Sequence, residues 1–314
     1  MREGEEIVLK QKYLSIDIGG TYTKFAYIDE AGNILSKNRK KSPNSLVNMY
    51  TLIDSIITEV KDDIKGVGIS CPGKIDSNTG TVYHGGSLPF LNEVSLRYYV
   101  EDKYHIPCAV INDGKAAVLS ELWLGNLKGI DNGAAIVLGT GIGGGLILNG
   151  KLFEGAHYQA GELSFMISNQ NKEDVESLAG FSGSAVGFVE KCAKILGLKD
   201  SKDGYGVFEQ LNDDHPEAVE VFRQFCREIA LVINNVQTVI DLSRVVIGGG
   251  ICAQSIVTEE IVRQYNEIRK LCPIVEQSLQ PIEIVTCKFQ SDSNLIGALY
   301  QLFLQTERER YEVA

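Results

Sequence analysis

Two glycine-threonine loops set far apart constrain this backbone more than any other feature: Asp17-Ile18-Gly19-Gly20-Thr21 and Gly139-Thr140-Gly141-Ile142-Gly143-Gly144-Gly145. An apolar run leads into each, Tyr13-Leu14-Ser15-Ile16 and Ala134-Ala135-Ile136-Val137-Leu138. Strand-like sequence resumes after each, at Phe25-Ala26-Tyr27-Ile28 and Leu146-Ile147-Leu148, so each loop reads as the tip of a β-hairpin. Glycine permits positive φ and brings amide N–H groups close to an anion with no Cβ in the way. Threonine hydroxyls add donors. One such loop alone is explained by tight turning. Two of them, with an acid at Asp17 and a third glycine run at Gly248-Gly249-Gly250, point to a phosphate held between two halves.

At 314 residues the chain is long enough for two domains, each with its own core. A net charge of −11 and the lack of a Lys/Arg stripe argue against nucleic acid as a partner. A nucleotide is not excluded by that charge, because it arrives with Mg²⁺ and is met by local backbone donors. No apolar stretch approaches the roughly 20 residues that span a bilayer, and Met1-Arg2-Glu3-Gly4-Glu5-Glu6 lacks a signal-peptide pattern, so no membrane partner and a cytoplasmic location are expected. The seven cysteines are scattered, with no C-x-x-C pair, and read as reduced, mostly buried thiols.

Strand and helix patterns alternate along the first third. Leu52, Ile53, Ile56, Ile57 and Val60 form a helical stripe. The run Gly66-Val67-Gly68-Ile69-Ser70 reads as a strand stopped at Cys71-Pro72-Gly73, and Val82-Tyr83 leads to the turn Gly85-Gly86-Ser87-Leu88-Pro89. A strand at Cys108-Ala109-Val110-Ile111 ends at Asn112-Asp113-Gly114, with helical sequence from Lys115 to Trp123. Polar residues where a buried strand opens onto a helix are where α/β proteins hold ligands, which makes Asn112 and Asp113 catalytic candidates. Farther on, Ala218, Val221, Phe222, Phe225, Ile229, Ile233 and Val236 recur at helical spacing. Arg244 to Ile247 reads as a strand, Gly248-Gly249-Gly250 as a loop, Ala253 to Ile268 as a helix, and Leu295 to about Leu304 as a last helix ending in Thr306-Glu307-Arg308-Glu309-Arg310.

Six segments in this order, Asp-Ile-Gly-Gly-Thr at 17–21, Pro-Gly-Lys-Ile-Asp at 72–76, Asn-Asp at 112–113, Gly-Thr-Gly-Ile-Gly-Gly-Gly at 139–145, Ala-Gly-Glu at 160–162 and Ile-Gly-Gly-Gly at 247–250, closely resemble the ROK family of sugar kinases and repressors. The resemblance runs from about residue 13 to about residue 300. It implies an actin-like, ribonuclease-H-like ATPase fold: two α/β domains flanking a cleft that takes ATP and sugar. Residues 1–113 would form the N-terminal domain, with a C-terminal helix at 293–314 packing back on it, and 114–292 the C-terminal domain. By this likeness Gly19, Gly20 and Thr21 form the first phosphate loop, and Gly139, Thr140, Gly141, Gly143, Gly144 and Gly145 belong to the second. Gly249 and Gly250 lie against the adenosine, Asp17 holds Mg²⁺ through water, and Asp113 is the catalytic base. Gly73, Gly86, Ser87, Asn112, Asp113, Glu162 and Glu176 fall on the acceptor side. A homodimer is the family's habit.

The departures from the family pattern carry equal weight. Most members have Gly-His after the Glu of Ala-Gly-Glu and then a cysteine cluster that binds structural zinc. Here Glu162-Leu163-Ser164-Phe165 puts Phe165 where that histidine would stand, and the next cysteine is Cys192, so no zinc is expected. With Ser87 in place of a frequent asparagine, the chain resembles the zinc-free branch that includes β-glucoside kinases, which phosphorylate the 6-hydroxyl of disaccharides. N-acetylmannosamine kinase and glucokinase remain open as well.

Several residues keep a second reading. Asp113 is also a favoured N-cap for the helix that follows, and Asp17 could serve its own hairpin through backbone N–H groups. Lys24, on the return strand, either touches a phosphate or stands in solvent, and His157 either faces the sugar or is exposed. Gly139, Gly141 and Gly144 satisfy G-x-G-x-x-G, but a dinucleotide fingerprint opens a helix, and Leu146-Ile147-Leu148-Asn149-Gly150 reads as strand and turn. A sugar-responsive repressor would carry a helix-turn-helix domain ahead of the first loop, where about a dozen residues precede the first strand.

Overall fold

The computed structural model describes residues 11–212, 215–271 and 273–313. The amino-terminal segment read for a signal peptide, and Cys272, therefore lie outside the described residues. The chain forms two compact units, one from the described residues of Met1–Ser120 and Asn294–Ala314, the other Glu121–Ser293.

In the first unit β1 (Lys12–Ile18), β2 (Tyr22–Asp29) and β3 (Ile34–Lys41) form an antiparallel meander. Helix α1 (Leu46–Thr58) leads to β4 (Ile64–Cys71). A small sheet of β5 (Lys74–Asp76), β6 (Thr81–His84) and β7 (Val94–Ser95) follows, and α2 (Leu96–Tyr104) returns to β8 (Cys108–Asn112) and α3 (Asp113–Leu124). Strands β4 and β8 lie parallel to β1, in the order β3-β2-β1-β4-β8. The chain leaves this unit inside α3.

The second unit repeats the plan. Its meander is β9 (Gly133–Leu138), β10 (Ile142–Leu148) and β11 (Lys151–Phe153). Helices α4 (Ala179–Ser182), α5 (Ala185–Ile195), α6 (Gly204–Asn212) and α7 (Pro216–Ile240) lead to β12 (Arg244–Gly249). Then come α8 (Ser255–Lys270), α9 (Pro273–Ser278) and β13 (Glu283–Thr286), and α10 (Ser293–Val313) closes the chain. The order β11-β10-β9-β12-β13, with the last two strands parallel to β9, matches the first unit strand for strand. This is the duplicated ribonuclease-H-like sheet that the resemblance implies.

The patterns explain these elements. In β1 Leu14, Ile16 and Ile18 are buried, as expected of a central strand covered on both faces, whereas the edge strand β3, Ile-Leu-Ser-Lys-Asn-Arg-Lys-Lys, is mostly exposed and its lysines discourage a further strand from pairing. Proline opens α7, where the missing N–H costs nothing, and Phe222, Phe225, Ile229, Ile233 and Val236 are buried at the expected spacing, with Val221 partly covered. Each unit has its own apolar cluster.

Several boundaries differ from the sequence reading. The stripe residue Val60 lies beyond the end of α1. Helix α8 begins at Ser255, after a 3-10 turn over Gly250–Ala253. Helix α10 continues through the charged segment to Val313, and that segment is tied down in the first unit: Glu309 pairs with Arg97 at 2.7 Å and Arg308 donates to Asn78 at 2.6 Å. Its apolar face packs on β1 and β4. Ser15 Oγ donates to the Leu295 carbonyl, and a Cβ on Gly68 would lie 2.4 Å from the Ala298 carbonyl oxygen, so strand and helix backbones touch. Among the described residues, no helix is long and apolar enough to cross a membrane.

Candidate active site

The parallel strands β1, β4 and β8 end along one edge of their sheet, and the first unit collects its polar candidates there. Asp17, at the end of β1, is 5% exposed. Its Oδ1 accepts hydrogen bonds from Ser70 Oγ on β4 (2.8 Å) and from Asn294 Nδ2 on α10 (3.1 Å), and its Oδ2 lies 3.5 Å from Lys24 Nζ on β2. These partners are side chains of three other elements rather than the backbone of its own hairpin. Lys24 is thereby placed beside a carboxylate.

At the end of β8, Asn112 Oδ1 accepts from the Lys115 N–H (3.1 Å), which is an N-cap for α3. Capping therefore falls to Asn112 and not to Asp113. Asn112 Nδ2 donates to the Gly73 carbonyl (3.0 Å) and to Asp113 Oδ1 (3.1 Å), and Asp113 Oδ1 also accepts from the Gly114 N–H (2.8 Å). The half-buried carboxylate is thus held from two sides. Burial pushes the Cys71 thiol well above its ordinary range, and the charges of Asp113 and Asp17 push it further, so both acids act on one point of the strand end.

The turns around these acids are closely fitted. Gly73 has φ +102°, and a Cβ there would sit 1.9 Å from the His84 carbonyl oxygen. Gly86, at φ +57°, lies against Gly73, and Ser87 Oγ would be 3.6 Å from a Cβ on Gly20. The first hairpin tip, the Pro72-Gly73 turn and the Gly85–Leu88 turn are therefore neighbours. Ser42 pins the tip by donating to the Gly19 carbonyl (2.6 Å) while its N–H donates to the Thr21 carbonyl (3.0 Å).

In the second unit the hairpin tip is shorter than its sequence suggests. Only Gly139, Thr140 and Gly141 form it, and Gly143, Gly144 and Gly145 belong to β10. At two of them the lack of a side chain serves packing: a Cβ on Gly144 would lie 2.1 Å from the Ala135 carbonyl oxygen, and one on Gly161 would lie 2.7 Å from Gly145 Cα. Gly249, at φ +109°, has the Leu138 carbonyl oxygen 2.1 Å from where its Cβ would be. Gly139 and Gly250 have nothing within 4 Å of that position. Both open into a cavity of about 540 Å³, also lined by Thr140, Val186, Tyr205, Phe208 and Gln254. One tip, one glycine turn and several apolar side chains thus share a single pocket of small-ligand size.

The rest of the acceptor set is more dispersed. Half-buried Glu162 precedes a 3-10 turn over Leu163–Phe165, and Phe165 is exposed. Glu176 stands exposed on another 3-10 turn, 3.2 Å from Lys172 Nζ, and His157 is exposed. Sequence reasoning missed Ser42, Ser70 and Asn294. A lone serine near the end of an otherwise apolar strand was a readable signal for Ser70; nothing marked Asn294.

The description "ROK family" matches residues 13–305. A β-glucoside kinase from Listeria innocua is 27% identical over 96% of this chain and 100% of its own. A glucokinase from Halalkalibacterium halodurans is 27% identical over 91% of this chain and 93% of its own. The crystal structure of a ROK family protein from Streptococcus pneumoniae in complex with sucrose superposes with a TM-score of 0.85 at 26% identity, covering 95% of this chain and 100% of that one.

Proposed function

The chain belongs to the ROK family, and from that footing we propose that it is an ATP-dependent sugar kinase that moves the γ-phosphate to the 6-hydroxyl of a hexose or β-glucoside. The observation that carries this reading is the cavity shared by Gly139, Thr140 and Gly250, where absent Cβ atoms leave room for a nucleotide and apolar side chains suit a base. The names of the relatives, glucokinase and β-glucoside kinase, support the acceptor class.

In this reading Gly139–Gly141 and Gly19–Thr21 meet the phosphates, and Gly249 and Gly250 the adenosine. Asn112, Ser87 and Glu162 bind acceptor hydroxyls beside the Gly73 and Gly86 turns, with Glu176 joining them. A single anionic carboxylate suits Mg²⁺, which keeps several waters and takes its remaining ligands from phosphate, so Asp17, oriented by Ser70 and Asn294, would hold it. The ion supplies charge neutralisation on the phosphates. Asp113 accepts the acceptor's O–H proton as the oxygen bonds to the γ-phosphorus and the bond from that phosphorus to the β-phosphate oxygen breaks, releasing ADP. Asn112 and the Gly114 N–H keep the carboxylate oriented. We further place the protein in the cytoplasm as a homodimer, without structural zinc.

Coupled ADP detection over glucose, fructose, mannose, N-acetylmannosamine and cellobiose tests this reading. Turnover with at least one sugar, and a phosphate on its 6-position by NMR, is expected. No ADP above the sugar-free rate with any of them overturns it.

A further inference from the structure

One serine joins the segment that carries Glu162 to the second hairpin. Ser164 Oγ accepts from the Ile142 N–H at 2.8 Å and donates to the Ile142 carbonyl at 3.1 Å. It thus engages both main-chain groups of the residue that follows the Gly139–Gly141 tip. Ser164 sits in the 3-10 turn that Glu162 precedes. Two glycines make room for its hydroxyl: a Cβ on Gly141 would lie 2.7 Å from Oγ, and one on Gly180 2.6 Å from it. Glycine at both positions thus leaves the Oγ the space in which it reaches Ile142.

We propose that Ser164 is a positioning residue for phosphoryl transfer, one that fixes the Gly139–Gly141 tip relative to Glu162 so that the phosphates and the acceptor hydroxyl keep one register. This rests on the kinase reading, with Glu162 on the acceptor. A displacement of about 1 Å between reacting groups lowers rates by about 10²-fold, and a loop whose exit residue has lost both main-chain partners has that freedom. Glu162 keeps its own place in the turn, so acceptor affinity does not depend on the strap.

The test compares Ser164→Ala, Gly141→Ala and the double variant with the parent protein. Ser164→Ala is expected to weaken Mg²⁺–AMPPNP binding about tenfold and to lower kcat 10- to 100-fold, as approximate ranges, while the sugar Kd measured without nucleotide stays within about twofold. Gly141→Ala drives a methyl into the Oγ and should reproduce the loss. In the double variant the closest Ser164 atom to that methyl is Cβ, at 3.8 Å, so the second substitution should add little. Parent-like kcat and nucleotide Kd in Ser164→Ala, or losses that multiply in full in the double variant, overturn the proposal. If Ser164→Ala does not fold, Ser164→Cys, whose thiol is a poor partner for both Ile142 groups, decides by the same split between nucleotide and sugar affinity. Failure of the parent to phosphorylate any sugar would sink the kinase reading instead, and the AMPPNP measurements would still test the strap.

Discussion

Asp113 is the residue on which the proposed chemistry turns, and its surroundings make a clean substitution available. Asparagine keeps the shape and an oxygen for the Gly114 N–H, yet cannot accept a proton. Asp113→Asn is therefore expected to lower kcat by about 10²- to 10⁴-fold with both KM values within a few-fold, in steady-state assays. Retention of most of the turnover would remove Asp113 as the base. At this scale the sequence was legible where function and local context coincide: Asn112-Asp113 at a strand end announced itself. It was silent where a partner is remote. Asn294 is 277 residues from the Asp17 it orients, and nothing within a short window connects them. The spare reading of Asp113 as a helix cap failed for a geometric reason: α3 starts at Asp113, so the residue before it caps.

Among elements, glycine runs were easy to find and hard to interpret. The stretch from Gly139 to Gly145 reads as one loop, but three of its glycines lie in β10, where close backbone crowds Gly144 and Gly145, and crowding is a property of packing. The same distinction separates adjacent glycines at the end of β12. Gly249→Ala must place a methyl at positive φ against the Leu138 carbonyl and should cost about 2–4 kcal/mol of stability in thermal unfolding. Gly250→Ala meets no atom, so its melting temperature should match the parent's while KM for ATP rises. Equal stability losses in both variants would show that Gly250 is structural too. The charged end of α10 is a related case: Thr306 to Arg310 reads as solvated charge, and only the pairing with Arg97 and Asn78 reveals what holds the helix there.

For the molecule as a whole, the duplicated sheet was legible through its two hairpins, and one of the points at which the chain changes units lies within a continuous helix, which no change of composition marks. Acid sensitivity is a whole-molecule property with an identifiable contributor. Burial pushes the Asp54 carboxyl up, but hydrogen bonds from Lys103, Tyr104 and Tyr99, with the Lys103 charge, outweigh it and hold it below the usual carboxylate range. Because the folded value is depressed, the stabilisation is present above the ordinary Asp pKa of about 3.9 and is lost as pH falls through the folded value. Asp54→Asn should thus unfold at lower urea than the parent at pH 7, and the two midpoints should converge in stronger acid. A gap that persists at low pH would assign the effect to packing.

The bond between Asn294 and Asp17 also has a consequence in time. On the ribosome, the acid that would receive magnesium emerges near the beginning of translation, while the side chain that orients it is added only after the entire second unit. A nascent polypeptide cut short just before that asparagine would keep both glycine tips and the Asp113 carboxylate, yet lack the last brace of its metal-binding acid. Catalytic competence would therefore arrive with the closing helix.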